Sequence, residues 1–231
     1  MQGKQVLLAG GTGGLGLGVT PAVLARGGEV TIPYHDAQEV DRLKSYLPPA
    51  DLARVRCVPA DLRDEAAVTQ LVETMGRVDV LIQLVGGFSM GPTHEYSFEQ
   101  WQQDFSLNLN TTFLLCKHSL RKMREQGYGR IVTIGSRGAV APAGQLAAYC
   151  ASKAGVVALT QAIAAETTGL NITANTVLPS IIDTPTNRAS MGNDQADQWV
   201  KPESLAATIC FLASEAAIDL RGAAIPVYGN V

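Results

Sequence analysis

The sequence predicts an α/β fold, a doubly wound seven-stranded parallel sheet with helices on both faces. Three observations lead there. Short apolar runs alternate with longer helical patterns along all 231 residues, the arrangement of repeated β-α units. Most of the runs are β-branched and almost continuously apolar, as strands become when both faces of a sheet are covered. A glycine-rich turn separates the first run from the first helical pattern, where such sheets receive ligands.

The elements follow in order. QVLLAG at 5–10 is the first strand, and the helical pattern at 14–26 follows its glycine turn. EVTIPY at 29–34 is the second strand, with a helix at 37–47 behind it. RVRCVPA at 54–60 is the third, leading through Pro-Ala-Asp-Leu to a helix at 64–75. VDVLIQLV at 78–85 is the fourth, before a long helix at 98–125. GRIVTIGS at 129–136 is the fifth, before a helix of small residues at 148–168. NITANTVLP at 171–179 is the sixth, and a weaker helical pattern lies inside 186–199. Pro202 opens the last strong helix, 202–213, and proline suits a first helical turn. AAIPVYG at 223–229 is the seventh strand. Right-handed crossovers restrict the topology further. No linker, repeat or low-complexity segment interrupts the pattern, so a single domain over 1–231 is expected.

Composition excludes several classes of function. Hydrophobic residues make up 46% and the mean hydropathy is +0.11, consistent with a packed interior. A net charge of −3 and a pI near 5.6 give no electrostatic case for nucleic acid or an anionic membrane as partner. The basic residues Lys117, Arg121, Lys122, Arg124 and Arg130 read as the solvated face of a helix and its exit. Cys57, Cys116, Cys150 and Cys210 form no C-x-x-C, and His35, His94 and His118 are scattered, so neither a disulfide framework nor a metal site is expected. Reduced thiols fit a cytoplasmic protein. The first apolar run is too short for a signal segment, and none reaches the roughly 18 residues of a membrane span.

The turn LLAGGTGGLGLGV carries Gly10, Gly11, Gly13, Gly14, Gly16 and Gly18 between strand and helix. Free N–H groups at a helix start, with the positive end of the helix dipole behind them, suit a pyrophosphate. Gly10, Thr12, Gly13, Gly14, Leu15 and Gly16 are the candidate ligands; a glycine turn without ligand is the alternative. The end of the second strand then faces an adenosine ribose, where an acid accepts from the 2′-hydroxyl and repels a 2′-phosphate. Tyr34 and His35 stand there instead, with Asp36 one step later, which weakly favours NADP(H) over NAD(H). His35 has two readings, a partner for a 2′-phosphate or a turn histidine in solvent. Asp61 also has two, an acceptor for the adenine amino group or the cap of the following helix.

Tyr149 and Lys153 lie one helical turn apart in AAYCASKAG. They are either an ordinary solvated pair or a phenol whose anion is favoured by a nearby cation.

Together these residues resemble the short-chain dehydrogenase/reductase family in its compact single-domain form, with a pattern similar to the 3-oxoacyl-acyl-carrier-protein reductases. The resemblance covers essentially the whole chain. It rests on AGGTGGLG (9–16), DL (61–62), QLVGG (83–87), SLNLN (106–110), GRIVTIGS (129–136), YCASKAG (149–155), LPSIIDTP (178–185) and IPVYGN (225–230). It implies a Rossmann-type fold and a catalytic set of Asn108, Ser136, Tyr149 and Lys153, with Ser136 preceding Tyr149 by the family's usual interval. Three departures stand out. Ala9 replaces a threonine, Gln83-Leu84-Val85-Gly86 replaces Asn-Asn-Ala-Gly, and Pro179-Ser180 replaces Pro-Gly. With both polar sides altered, an apolar contact between the first two segments is expected in place of a hydrogen bond.

The resemblance further implies that Tyr149 gives or takes the substrate's proton, that Lys153 stabilises the phenolate and holds the nicotinamide ribose, and that Ser136 orients the reacting oxygen. Asn108, a mediocre helix former in a long helix, would perturb that helix and hold a water in a relay to Lys153. Leu62, Gly86, Ile182 and Thr184 would complete the cofactor site, Thr184 by bonding the carboxamide; a helix cap before Pro185 is its other reading. The helices at 98–125 and 148–168 would pack against partner copies, giving a homotetramer, with a dimer as alternative. The substrate pocket is expected between 87–90, 137–140, Leu146 and 186–200, with Arg137 and Arg188 as anion partners or plain surface charges.

The leading expectation is therefore an NAD(P)(H)-dependent oxidoreductase acting on a small-molecule carbonyl or alcohol. The alternative is a nucleotide-binding regulatory protein with little turnover. A sugar-nucleotide epimerase needs a larger substrate domain than the residues after strand six allow, and a methyltransferase gives no reason for Tyr149 and Lys153.

Overall fold

The structure, a computed structural model, describes residues 1–231. Its first half runs β1 (Gln5–Ala9), α1 (Gly16–Ala25), β2 (Glu29–Tyr34), α2 (Ala37–Tyr46), α3 (Pro49–Leu52), β3 (Val55–Pro59), α4 (Glu65–Met75) and β4 (Val80–Gln83). Then come α5 (Phe98–Phe105), a π-helical segment Ser106–Asn110, α6 (Thr111–Gln126), β5 (Gly129–Ile134) and α7 (Ala147–Glu166). The chain ends with β6 (Ile172–Pro179), α8 (Pro185–Met191), α9 (Pro202–Leu212) and β7 (Ala224–Val227). All seven strands join one sheet in the order β3-β2-β1-β4-β5-β6-β7, and every pairing is parallel. The order reverses between β1 and β4, and in open sheets of this kind the ligand crevice lies outside the strand ends at that reversal.

Alternation along the strands builds two cores. Val6, Leu8, Val30, Ile32, Val80, Ile82 and Val132 meet α1, α2 and α9 through Val19, Val23, Leu43, Leu205 and Ile209. Leu7, Leu81, Ile131, Ile172 and Ala174 point the other way, to Val68, Leu71, Leu115, Met123 and Ile163 of α4, α6 and α7. Both faces are covered, so the strands read as continuous apolar runs.

Several elements depart from expectation, each for a local reason. β4 stops at Gln83 because that side chain captures the backbone beyond it: its Oε1 accepts from Val85 N at 3.0 Å and its Nε2 donates to Val85 O at 3.2 Å. The long helix at 98–125 is interrupted by the π turn, where Thr111 N reaches Ser106 O. Thr111 and Thr112 bond back to the carbonyls of Leu107 and Asn108 at 2.6 and 2.7 Å, a habit that bends helices. The helix inside 186–199 is only α8, ended by Gly192 at φ 82°. The short α3, opened by Pro49, was not expected. Arg130, read as a solvated exit charge, is fully buried, bonding Asn171 and Glu215 beside the Tyr128 ring. The four cysteines are unpaired, and burial pushes the Cys116 thiol up to about 12. No helix is long and apolar enough to cross a membrane.

Candidate active site

The glycine loop leaves β1 through Gly10, whose φ of 82° lies in the left-handed region that glycine enters without steric cost. A side chain at Gly16 would run into the backbone of Gly10 and Gly11, so the turn can be this tight only with glycine there. Thr20 Oγ1 braces it from α1 by donating to Gly11 O at 2.9 Å. The bare loop backbone then lies at the start of α1, a cradle that fits a pyrophosphate. Leu15 sends its side chain toward the α1 core, leaving its backbone for a ligand. Gly14 lies directly under Thr184, 3.1 Å from that side chain to the position a β-carbon would take.

At the neighbouring strand ends the four candidate catalytic residues converge. Ser136 follows β5, is 8% exposed, and accepts from Gly138 N at 3.1 Å. Tyr149 and Lys153 stand one turn apart on α7. The Phe88 ring packs edge-on against Tyr149, with centroids 5.1 Å apart. Lys153 is buried and donates from Nζ to Ile134 O at 3.0 Å. Asn108, with no exposed surface, accepts from Gly87 N at 2.9 Å and donates to Ser152 Oγ at 3.1 Å. Ser152 in turn donates to Tyr149 O at 2.8 Å. Gly86 sits between them: a β-carbon there would stand 2.7 Å from Asn108 Oδ1 and 2.9 Å from Lys153 Nζ. The π turn gives this asparagine an irregular helix segment to sit in, as π bulges at functional sites do.

Burial dominates the electrostatics. It lowers Lys153 to about 8 by penalising the ammonium. It raises the Tyr149 phenol, against the opposing pull of a hydrogen bond with Ser136. Lys153 is not among the groups that move Tyr149, so in this state the phenol is held protonated rather than acidic.

The other candidates fall around this centre. Tyr34 closes β2. His35 is exposed and exerts a minor pull on Asp61. Asp61 does not cap α4; Asp64 does, accepting from Ala66 N. Asp61 instead pairs with Arg63, whose hydrogen bonds hold it at about 2. Leu62 points into the core, so only its backbone is open to a ligand. Ile182 already uses its carbonyl for Thr184 N and Asn187 Nδ2. Thr184 caps α8, accepting from Asn187 N at 3.2 Å; a cap so close to the glycine loop can also meet what the loop holds.

The departures from the family pattern are resolved by new contacts. Leu84 lies against Gly10 and its N–H donates to Ala9 O at 2.9 Å. Ala9 and Val85 belong to the same apolar cluster, and the direct link between the two segments is this backbone bond. Gln83 keeps polar partners, donating to Thr112 Oγ1 at 3.1 Å and Thr111 Oγ1 at 3.4 Å. Ser180 donates to Tyr228 O at 2.5 Å. Arg188 is not a free anion partner, being paired with Asp183 through Nε and Nη2 at 2.5 and 2.8 Å. Lys201 adds to that pair, and the two cations hold the Asp183 carboxyl far below the usual range, Arg188 foremost. Arg137 is also engaged, donating to Val231 O at 2.8 Å.

A cavity of about 190 Å³ opens beside Tyr149, walled by Ser89, Tyr96, Phe98, Trp101, Gln145 and Leu146. Of the expected lining only Ser89 and Leu146 reach it; Gly87, Phe88, Met90, residues 137–140 and the segment 186–200 do not. Sequence reasoning missed Asp104, which accepts from Ser89 Oγ at 2.5 Å and Tyr96 Oη at 2.8 Å and so ties this wall to α5. It also missed Glu39 and Arg42 at the glycine loop. A helical i,i+3 pair of opposite charge on α2 was the available signal.

A sheet of this order with this glycine loop and this polar cluster defines a nicotinamide-dependent oxidoreductase of the Rossmann type. Residues 4–195 match the short chain dehydrogenase family, and the chain belongs to it. It is 30% identical to a D-threitol dehydrogenase of Mycolicibacterium smegmatis, over 100% of this chain and 93% of that one. It is 32% identical to the 3-oxoacyl-acyl-carrier-protein reductase MabA of Mycobacterium tuberculosis, over 99% of this chain and 92% of that one. The fold superposes on the crystal structure of a levodione reductase with a TM-score of 0.90 and 27% identity, covering 99% of this chain and 97% of that one. The protein is an NAD(P)-dependent oxidoreductase acting on hydroxyl or carbonyl groups.

Proposed function

We propose that this chain interconverts a small-molecule carbonyl and its secondary alcohol, with Tyr149 exchanging the proton and NADP(H) favoured over NAD(H). The convergence of Ser136, Tyr149, Lys153 and Asn108 beside the glycine loop carries this reading. When bound, the nicotinamide supplies or accepts the hydride at the substrate carbon. The chain's residues do the rest. Gly10, Thr12, Gly13, Gly14, Leu15 and Gly16 seat the pyrophosphate with backbone groups. Asp61, Leu62, Tyr34 and His35 border the adenosine, and Gly86, Ile182 and Thr184 border the nicotinamide half.

In reduction, Tyr149 gives its phenolic proton to the substrate oxygen as hydride reaches the carbon; in oxidation it takes that proton back. A phenol raised by burial is protonated at neutral pH, the form that reduction needs. Ser136 donates to the same oxygen and orients it. Lys153, one turn on, stabilises the phenolate as it forms. Asn108 holds the segment around Gly86 and a water on the path that returns a proton through Lys153. Positioned proton transfer of this kind contributes roughly 100- to 10,000-fold.

The chain is read as one domain, acting in the cytoplasm as a homotetramer. Exposed Phe98, Leu107 and Phe113 on α5, the π turn and α6 support a partner copy on that face. The different substrates named for the relatives leave the substrate to be found by screening carbonyl compounds for loss of nicotinamide absorbance. The decisive test is Tyr149→Phe. Turnover should fall at least about 100-fold while dinucleotide binding, followed by fluorescence, persists. Undiminished turnover would overturn the proposal.

A further inference from the structure

The glycine loop is gripped from outside by α2. Thr12 Oγ1 donates to Glu39 Oε2 at 2.7 Å. Arg42 Nη2 donates to Thr12 O at 2.9 Å. The two α2 side chains also pair with each other at 3.6 Å. A carboxylate and a guanidinium thus converge on one loop residue. Asp36, the carboxylate nearest the end of β2, caps α2 through Oδ1, accepting from Gln38 N at 2.9 Å. His35 is exposed. It is the pair on α2 that sets a carboxylate and a guanidinium together against the glycine loop.

In doubly wound sheets, an acid about 20 residues beyond the glycine motif accepts from the ribose 2′-hydroxyl, and an arginine nearby accommodates a 2′-phosphate. We infer that Glu39 and Arg42 together form the cofactor-discriminating site. Glu39 receives the 2′-hydroxyl of NAD(H), and Arg42 pairs with the 2′-phosphate of NADP(H). The inference rests on the reading that the glycine loop seats a dinucleotide pyrophosphate.

The two groups act in opposite senses. A 2′-phosphate beside Thr12 is repelled by Glu39 and drawn by Arg42, whose planar fork matches phosphate oxygens. Glu39 is 42% exposed and Arg42 53%, so both have room to reorient around either cofactor. Without ligand each compensates the other, and their balance sets the preference. Removing one member should swing selectivity toward the cofactor that the other member serves.

The test needs no turnover. Calorimetric titration with 5′-AMP and with adenosine 2′,5′-bisphosphate compares ligands that differ only by the 2′-phosphate. Arg42→Met should weaken the bisphosphate by roughly 10- to 100-fold while 5′-AMP shifts less than about threefold. Glu39→Gln, which keeps an amide for Thr12, should tighten the bisphosphate and weaken 5′-AMP. The ratio of kcat/KM for NADPH over NADH should move the same way in each variant. If both ligands bind and their ratio is unmoved in either variant, the assignment to Glu39 and Arg42 fails alone. If the unaltered chain binds neither ligand, the dinucleotide reading of the loop fails and takes the assignment with it.

Discussion

Gln83 and Thr112 link the end of β4 to the helix that carries Asn108. The amide of Gln83 donates to Thr112 Oγ1 at 3.1 Å, and that hydroxyl donates onward to the Asn108 carbonyl at 2.7 Å. The same glutamine closes on both backbone groups of Val85. One buried side chain thereby fixes two of the walls around Gly86.

Replacing it is expected to be costly. Gln83→Leu strips partners from the half-buried Val85 backbone, and each orphaned group costs up to roughly 1–3 kcal/mol. A loss of about 2–4 kcal/mol in urea denaturation is expected, with reduced turnover. Wild-type stability in this variant would show that the amide does not hold the segment.

Gly86→Ala tests the narrowest point of the site. Its β-carbon would meet Asn108 Oδ1 at 2.7 Å and Lys153 Nζ at 2.9 Å. Both atoms are tethered by hydrogen bonds, so neither yields freely. Overpacking of this sort costs roughly 1–3 kcal/mol, and kcat should fall more than dinucleotide affinity. Unchanged kcat would mean that the two groups can separate without consequence.

Lys153 makes stability depend on pH. Its folded value near 8 lies below its ordinary 10.5. Between these values the unfolded chain holds a proton that the folded chain has released, so stability rises with pH across that window. Below about 8 the burial penalty is present in full. Lys153→Met should therefore be more stable than the parent at pH 7, by up to about 3 kcal/mol. That advantage should vanish by pH 10.5. Thermal melts at the two pH values decide it; a gap that widens with pH contradicts the assignment.

The rate of carbonyl reduction should follow the same group. Tyr149, raised by burial, stays protonated through the neutral range, so the first proton lost as pH rises is that of Lys153 near 8. A profile level from pH 6 to about 8 and falling beyond is expected. A rate that climbs through pH 8 would count against an ammonium in the working enzyme.

Much of this was legible in the sequence because it is local. The glycine loop, Ser136 at the end of a strand, and Tyr149 and Lys153 one turn apart are each set within a few residues. The seven strands were readable because both sheet faces demand apolar residues. What escaped depended on contacts between distant segments. Nothing near Arg130 announces that Asn171 and Glu215 will close over it. Nothing near Thr12 announces Glu39 and Arg42. The asparagine in the long helix hinted at a distortion, but the π turn depends on Thr111 and Thr112 bonding backward. Asp61 reads by type as a cap, but backbone geometry gives that place to Asp64 and leaves Asp61 to Arg63.

The segment Ser106–Asn110 makes residue count itself part of the chemistry. In a regular helix, losing one residue rotates everything downstream by about 100° and would turn α6 away from the sheet. Here the wide turn already holds one residue more than α geometry requires, so a single deletion would leave α5 and α6 seated as before. What such an edit would remove is the inward reach of Asn108, leaving a well-folded chain with a silent centre.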